Sequence, residues 1–330
     1  MKRPVWISLV LFFAFLLCIA IGWFGRIWYV LNEPSKLKEI RENSPDYKYI
    51  NPLLLIDSPK EAPEFFALKN QINSYINSEK NNQDASSVSA YFRDLNTGRW
   101  IGINKETLYD PSSMLKVAVM MGYFNKSDTD PAVLEKQISY TAKVDPGQYY
   151  KPVNPLQTGV YSVSDLIKAM IVDSDNTALA LLYNNDRPDF IDVLKTLQIP
   201  PPASTTTLDF MSPEIYSHLF RVLFNASYLS KETSEKALEL LEGTTFNNGL
   251  VAGVPEGTVV AHKFGEHTTL TPENNVESRE LHDCGIIYYP QHPYFLCVMT
   301  RGNDFTKLQS IISNISAIVY KKISDNNPLP

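Results

Sequence analysis

Strand-like and helical stretches follow one another along this chain in an order that few folds accommodate. Residues 87–94 alternate in polarity, the turn Asn96-Thr-Gly98 follows, and residues 100–103 return, which together predict a β-hairpin. Three more strand-like runs lie far downstream, at 258–263, 285–289 and 294–300. The order predicts an α+β fold, in which N- and C-terminal strands form one antiparallel sheet and an all-helical block is inserted between them.

Apolar residues at helical spacing predict the remaining elements. Residues 131–174 are expected to be mostly helical, with Ser162 and Asp165 capping a helix that runs through residue 171. Another helix is predicted to begin at residues 177–182, and further helices lie at about 64–80, 212–224, 231–241 and 305–323.

The N-terminal segment differs from everything that follows it. An uncharged run extends from Val5 to Gly25, and about 20 apolar residues are enough for a helix to span a bilayer. We therefore expect a transmembrane signal anchor at 1–31, an extracytoplasmic stalk or linker at 32–60 and one folded domain at 61–330. This makes the chain a single-pass protein of the cell membrane. The alternative is a cleaved export signal, which also predicts a domain outside the cytoplasm.

Charge and composition exclude some classes of protein. The formal net charge is -6 and no long basic run follows the N-terminal segment, so we expect no nucleic-acid partner, because phosphate binding needs a basic surface. No Gly-x-Ser-x-Gly string is present, which argues against an α/β-hydrolase triad.

Histidine and cysteine positions predict neither a metal nor a cofactor. His262 and His267 lack the helical His-x-x-x-His spacing, and His282-Asp283 is typical of a polar contact beside the sheet. Cys284 and Cys297 lie on two runs that look like hairpin partners, but spacing alone establishes no disulfide. Because free cysteine is commonly buried, we expect both to be plain core residues, with a disulfide as the alternative.

One short string carries candidate chemistry. Ser113-Met-Leu-Lys116 opens an apolar helical run, and residues three apart share a helix face, so the hydroxyl and the amine can meet. A lysine kept neutral by burial or by a nearby cation can take the serine's proton and activate the hydroxyl as a nucleophile. The same spacing recurs at Ser35-Lys-Leu-Lys38 in the predicted stalk, so it does not assign a function by itself.

Two further candidate strings lie C-terminal to Ser113-Met-Leu-Lys116. Ser174-Asp-Asn176 lies in a break between two predicted helices, and Lys263-Phe-Gly265 ends a predicted strand. With these strings the chain resembles the class A β-lactamases and related penicillin-recognising serine enzymes, whose signature is S-x-x-K, S-D-N and K-T-G in that order. The resemblance covers roughly residues 61–323 and implies the β-lactamase/DD-peptidase-like fold.

The resemblance implies four catalytic residues. Ser113 would attack a strained or activated amide carbonyl, with Lys116 as the base. Ser174 would pass a proton to the leaving nitrogen, and Lys263 would add positive charge that favours a substrate carboxylate. The backbone N–H groups of Ser113 and Glu266 would form the oxyanion hole.

The resemblance also implies the substrate-binding residues. Asn176 would hold the substrate's amide side chain and steady Lys116, while Gly265 and Glu266 would meet the substrate at the strand edge. Tyr149 or Tyr150 corresponds to an aromatic gate beside the cleft, and the alternative is an exposed loop tyrosine.

Two departures count against an efficient β-lactamase. Asp209-Phe-Met-Ser-Pro213 resembles the end of the loop that carries the deacylating glutamate, yet residues 194–208 contain no Glu or Asp, and Asp209 itself matches a structural position. Phe264 replaces the usual Thr or Ser and removes a hydroxyl worth about 1.5–3 kcal/mol to a bound carboxylate.

The preferred hypothesis is a membrane-anchored serine hydrolase that forms an acyl-serine with a β-lactam or a peptidoglycan-type D-alanyl peptide. The missing glutamate favours a DD-peptidase-like or slow β-lactamase. The alternatives are a non-catalytic cell-wall-binding or scaffold domain that keeps the fold, and an α+β domain in which every motif is accidental.

Overall fold

The computed structural model describes residues 48–50, 60–141, 148–185, 190–200 and 208–328. The predicted anchor at 1–31 lies outside the described residues, as does most of the predicted stalk. Within the described ranges, no helix combines the length and apolar character that crossing a membrane requires. The short segment 48–50 packs on the domain: the buried Tyr49 and Ile50 donate their N–H groups to the Glu235 carboxylate at 2.8 and 3.0 Å.

The described residues form seven β-strands and eight α-helices. The strands are β1 Ser87–Asp94, β2 Trp100–Ile103, β3 Gln137–Tyr140, β4 Gly159–Ser162, β5 Val260–Leu270, β6 Val276–Ile287 and β7 Tyr294–Gly302. The helices are α1 Phe66–Asn81, α2 Lys116–Ser127, α3 Val163–Val172, α4 Asn176–Asn185, α5 Phe190–Thr196, α6 Pro213–Phe224, α7 Lys231–Glu242 and α8 Phe305–Asn326.

One five-stranded antiparallel sheet, in the order β2-β1-β7-β6-β5, organises the domain. Helices α1 and α8 pack together, and α8 covers one face of the sheet. The helical block between β2 and β5 packs on the other face. The α+β class and the sheet built from both ends of the domain are confirmed. Strand β5 is an edge strand, so one side of its backbone is free to meet other groups.

The inserted block is not entirely helical. Strands β3 and β4 pair as an antiparallel ribbon within the stretch that was predicted to be mostly helical. Each strand has four residues, too few for alternation in polarity to be told from a helical pattern. Strand β5 also continues past its predicted end to Leu270, because its polar outer half pairs with β6 from Val276 onward.

Local chemistry explains where several helices begin. The hydroxyl of Ser162 accepts the N–H of Asp165, whose carboxylate accepts the N–H of Ser162, so the predicted capping box at the start of α3 is present. Ser212 caps α6, and Pro213 occupies its first turn, where a missing N–H costs nothing.

The two strand cysteines form a disulfide. Cys284 on β6 and Cys297 on β7 are directly paired in the sheet register and are joined by an S–S bond. The expectation that both are plain core residues is wrong, although both are fully buried. The bond is possible because the β6–β7 turn brings these two positions opposite each other, and spacing alone did not establish that register.

Candidate active site

Ser113 lies in a short 3-10 turn, Ser112–Leu115, that leads directly into α2 at Lys116. The α-helix therefore begins three residues later than expected, but residues three apart also align in a 3-10 turn, so Ser113 still faces Lys116. Ser112 has a φ of 46°, and Asp110 Oδ1 accepts its N–H at 2.8 Å. Its hydroxyl donates to the backbone oxygen of Glu266 at 2.6 Å. These two bonds fix the turn that presents Ser113.

The Lys116 amine is the centre of the site. It is 1% exposed and lies 3.1 Å from Ser113 Oγ, 2.6 Å from the backbone oxygen of Ser174 and 2.6 Å from Asn176 Oδ1. Burial lowers the pKa of Lys116 to about 7, although the negative charges of Asp175 and Glu266 oppose the shift. A neutral amine that donates its two N–H groups to Ser174 and Asn176 has its lone pair left for the Ser113 hydroxyl.

The Ser174–Asn176 turn supplies the partners of Lys116. It joins α3 to α4, with Ser174 at a φ of 53° and its hydroxyl 3.2 Å from Lys116 Nζ. Asp175 turns away from the amine and caps α4, because its Oδ1 accepts the N–H groups of Thr177 and Ala178 at 2.7 and 3.0 Å. Its charge acts on Lys116 only through space.

Lys263 is fully buried on β5, and its Nζ has no hydrogen-bond partner in the described part of the chain. Burial, together with the positive charge of Lys116, holds the pKa of Lys263 well below its usual value. The amine lies over the ring of Phe264, 4.4 Å from the ring centroid. A buried amine without a partner is a free donor at this side of the site.

At Gly265, strand β5 packs closely against the turn Ser112–Leu115, which carries Ser113. A methyl group on Gly265 would come within 2.6 Å of Pro111 O and 2.8 Å of Met114 Cγ, so no larger residue fits without moving the turn. Glu266 O accepts from Ser112 and therefore points outward from the sheet edge. The N–H and C=O of one residue in an antiparallel strand point the same way, so the Glu266 N–H also faces the Ser113 turn.

A segment that we call the strap, Gln148–Tyr150, connects the two walls of the cleft. On one wall, the Gln148 side chain donates to Ser174 O at 3.2 Å and accepts the N–H of Asn176 at 3.1 Å. On the other wall, Glu266 Oε1 accepts the N–H groups of Tyr149 and Tyr150 at 2.7 and 3.3 Å. Both walls of the Ser113 cleft are therefore hydrogen-bonded to the same three residues.

The two strap tyrosines differ in environment. Tyr149 is 55% exposed, and its ring lies 4.5 Å from that of Phe305. Tyr150 is half-buried, with its ring edge-on to Phe246 and Phe264 at 5.2 and 5.7 Å. Tyr149 thus combines both expectations, since it is exposed and also lies beside the cleft.

The histidines lie outside this cluster. His262 is paired with Asp283 at 2.8 Å, whereas His282 contacts Asp110 O at 3.1 Å, so the neighbours His282 and Asp283 have different partners. His267 lies 3.2 Å from the Asp110 carboxylate, whose pKa is raised by burial in spite of that contact and the bond from Ser112. In the described ranges, no group of three or more His, Cys, Asp or Glu is placed to hold a metal ion.

The structure brings the predicted site residues into one region. They are Ser113, Lys116, Ser174, Lys263, Asn176, Tyr149, Gly265 and Glu266. Sequence reasoning missed Gln148 and Asp110, which fix the two turns. A lone Gln in a loop gives no signal, and neither does an Asp before a proline. It also missed that the Glu266 side chain faces the cleft.

A family model, described as the beta-lactamase enzyme family, matches residues 67–323. This chain belongs to that family. No curated protein matches the chain significantly.

Solved structures of this fold are similar to the chain over most of its length. A mutant of PBP-A, in an acyl-enzyme complex with penicillin G, is 19% identical, with a TM-score of 0.64 over 81% of this chain and 100% of that chain. A beta lactamase from Xanthomonas campestris pv. campestris is 18% identical, with a TM-score of 0.65 over 78% and 98%. TLA-3 extended-spectrum beta-lactamase is 19% identical, with a TM-score of 0.66 over 78% and 98%. At these identities the likeness shows the fold alone.

Two observations bear on the departures from the family pattern described above. Phe264 stacks on Phe246 with ring centroids 4.2 Å apart, so an aromatic pair stands where a hydroxyl was expected. Asp209 Oδ2 accepts from Arg301 Nη2 at 2.5 Å, a structural ion pair that leaves Asp209 engaged. Ser113, Lys116 and the Ser174–Asn176 turn match the family signature, whereas Phe264 departs from it.

Proposed function

We propose that the chain is a serine hydrolase that forms an acyl-serine with a β-lactam or a D-alanyl-peptide amide. The observation that carries the proposal is the buried Lys116 amine, which lies 3.1 Å from Ser113 Oγ with two further acceptors at 2.6 Å. An amine in this environment is neutral near physiological pH and is oriented toward the serine proton.

The proposed acylation balances its protons through these residues. Ser113 Oγ attacks the substrate carbonyl carbon while its proton moves to Lys116 Nζ. The backbone N–H groups of Ser113 and Glu266 stabilise the oxyanion. The C–N bond then breaks, and the Ser174 hydroxyl delivers a proton to the leaving nitrogen and is resupplied from Lys116. Asn176 holds the amine in place and binds the substrate's amide side chain.

We propose slow release of the acyl group, as in a DD-peptidase-like enzyme or a slow β-lactamase. Residues 194–208 contain no acidic side chain, and Asp209 is engaged by Arg301. An acyl-enzyme relative supports the first half of the reaction, since the PBP-A mutant is described in complex with penicillin G. Without an acidic side chain in the loop segment that carries the deacylating glutamate in the family pattern, the acyl-serine should persist.

We further propose that residues 1–31 anchor the protein in the cell membrane, with the enzymatic domain outside the cytoplasm. The support is the uncharged run from Val5 to Gly25 and the disulfide between Cys284 and Cys297, a bond that persists in oxidising compartments. Alkaline carbonate extraction of membranes tests the anchor, and protease treatment of intact cells tests whether the domain lies outside the cytoplasm. Release of the protein by carbonate would contradict the anchor.

Intact-mass measurement tests the acyl-serine directly. The full-length protein is incubated with benzylpenicillin and sampled over time, and we expect a persistent adduct with the mass of the whole drug. Ser113→Ala should abolish it, whereas Ser35→Ala, in the other S-x-x-K string, should not. No adduct with benzylpenicillin or with a D-alanyl ester would contradict the proposal and favour the non-catalytic wall-binding domain.

A further inference from the structure

Two side chains flank the point where a substrate must reach Ser113. Phe264 and Glu266 lie on either side of Gly265 on β5, and side chains alternate along a strand, so both project from the same face. Gly265 touches the nucleophile turn, and the Glu266 N–H faces it. A substrate whose carbonyl lies between Ser113 and that N–H therefore passes beside both side chains.

The Glu266 carboxylate faces the cleft. It accepts the N–H groups of Tyr149 and Tyr150, which belong to the strap that also contacts Ser174 on the opposite wall. Among the described residues it forms no ion pair, and the Tyr149 and Tyr150 N–H groups are its hydrogen-bond donors. It is close enough to Lys116 for its charge to act on that amine.

The cations nearby are poorly placed to cancel this charge for a ligand. Lys263 is fully buried, and the Phe264 ring lies against its amine at 4.4 Å. Arg279 is on the neighbouring strand β6, and its guanidinium is stacked over the rings of Phe305 and Tyr149 at 4.9 and 5.7 Å. An anionic group next to the scissile bond would therefore lie beside a carboxylate with which neither cation forms an ion pair.

We propose that Glu266 is a specificity-determining residue that slows acylation by donors with a carboxylate beside the scissile bond, β-lactams and D-alanyl peptides included, relative to donors that are uncharged there. This inference rests on the proposed acyl-serine reaction and names its substrate class. Two like charges a few ångströms apart in a partly buried site repel by an amount that changes a rate at least about tenfold. Esters, amides and amine-bearing leaving groups avoid that repulsion.

The test compares benzylpenicillin, a carboxylate, with its methyl ester, which is uncharged at the same position. With both probes the Ser113 Oγ–carbonyl bond forms, the C–N bond breaks and the serine proton ends on the ring nitrogen, so the adduct has the mass of the intact probe. The acylation rate constants are measured on the full-length protein, on Glu266→Gln and on Glu273→Gln. The last is a matched control, because Glu273 is exposed in the β5–β6 turn.

Glu266→Gln removes the charge but keeps an oxygen that can accept the Tyr149 N–H. We expect its carboxylate-to-ester rate ratio to rise at least about tenfold over wild type, with Glu273→Gln unchanged. Comparing the carboxylate-to-ester ratio between proteins cancels the difference in intrinsic reactivity between the two probes. An unchanged ratio, or an equal rise with both probes, would overturn the inference and leave the acyl-serine reaction intact. Absence of any adduct in all three proteins would remove the proposed function and this inference with it.

Discussion

The rate at which Ser113 is acylated should follow the protonation of Lys116. Burial lowers the pKa of this amine to about 7, and only the neutral form can accept the serine's proton. The rate should therefore rise with pH and level off above that pKa. For a single titration near 7, ~9% of the amine is neutral one unit below and ~91% one unit above, so the rate should rise about tenfold from pH 6 to pH 8.

A charge substitution provides the second half of this test. The charges that act on Lys116 are those of Asp175 and Glu266, both of which raise its pKa, while Lys116 and Lys263 disfavour each other's protonation. Glu266→Gln removes one negative charge, so the midpoint of the profile should move to lower pH. Glu273→Gln changes an exposed residue in the β5–β6 turn and should leave the midpoint unchanged.

Intact-mass time courses at subsaturating benzylpenicillin, taken in half-unit steps from pH 6 to pH 8.5, give the acylation rate constant directly. Circular dichroism at each pH checks that the fold is intact. A flat profile, a rate that falls with rising pH, or a midpoint that moves upward in Glu266→Gln would each refute Lys116 as the base.

Three further substitutions test other contacts. Lys263→Met should abolish acylation. It should also raise the free energy of unfolding, measured in urea, by about 1–3 kcal/mol, because it removes a buried amine without a partner. A lower free energy of unfolding in this variant would contradict that account of Lys263. Gly265→Ala should slow acylation about 100-fold, because the added methyl group displaces the Ser113 turn. Gly159→Ala is the control and should not slow it, since its methyl group would lie 3.6 Å from the nearest atom. Equal acylation rates in the two variants would argue against the contact at Gly265. Replacing Cys284 and Cys297 together by Ala should lower the free energy of unfolding by about 2–4 kcal/mol, and an unchanged urea midpoint would speak against the disulfide.

Much of the fold was predictable because local pattern and tertiary structure agree. The β1–β2 hairpin has the predicted bounds, and the capping box at Ser162 and Asp165 marks a real helix start. The β3–β4 ribbon and the outer half of β5 were not predictable. Their polar residues are in strands because a partner strand is present, and that partner is not visible in a short stretch of sequence.

Part of the site was likewise predictable from the sequence, and part of it was not. Ser113, Lys116, Asn176 and Lys263 were predictable from three short strings, because the family signature has one residue type at each of these positions. The side-chain roles of Gln148 and Glu266 were not predictable, since both depend on the strap meeting β5 across the cleft. The register that joins Cys284 to Cys297 was likewise a property of the folded sheet.

Burial predicts that replacing Lys116 or Ser174 costs more stability than replacing Glu266 or Tyr149. Lys116 and Ser174 are almost completely buried and share hydrogen bonds, so replacing either one leaves a buried polar group without a partner. Glu266 and Tyr149 are partly exposed, and a change there costs little stability. The proposed substrate preference is therefore best tested at Glu266, where one substitution removes a charge at little cost in stability.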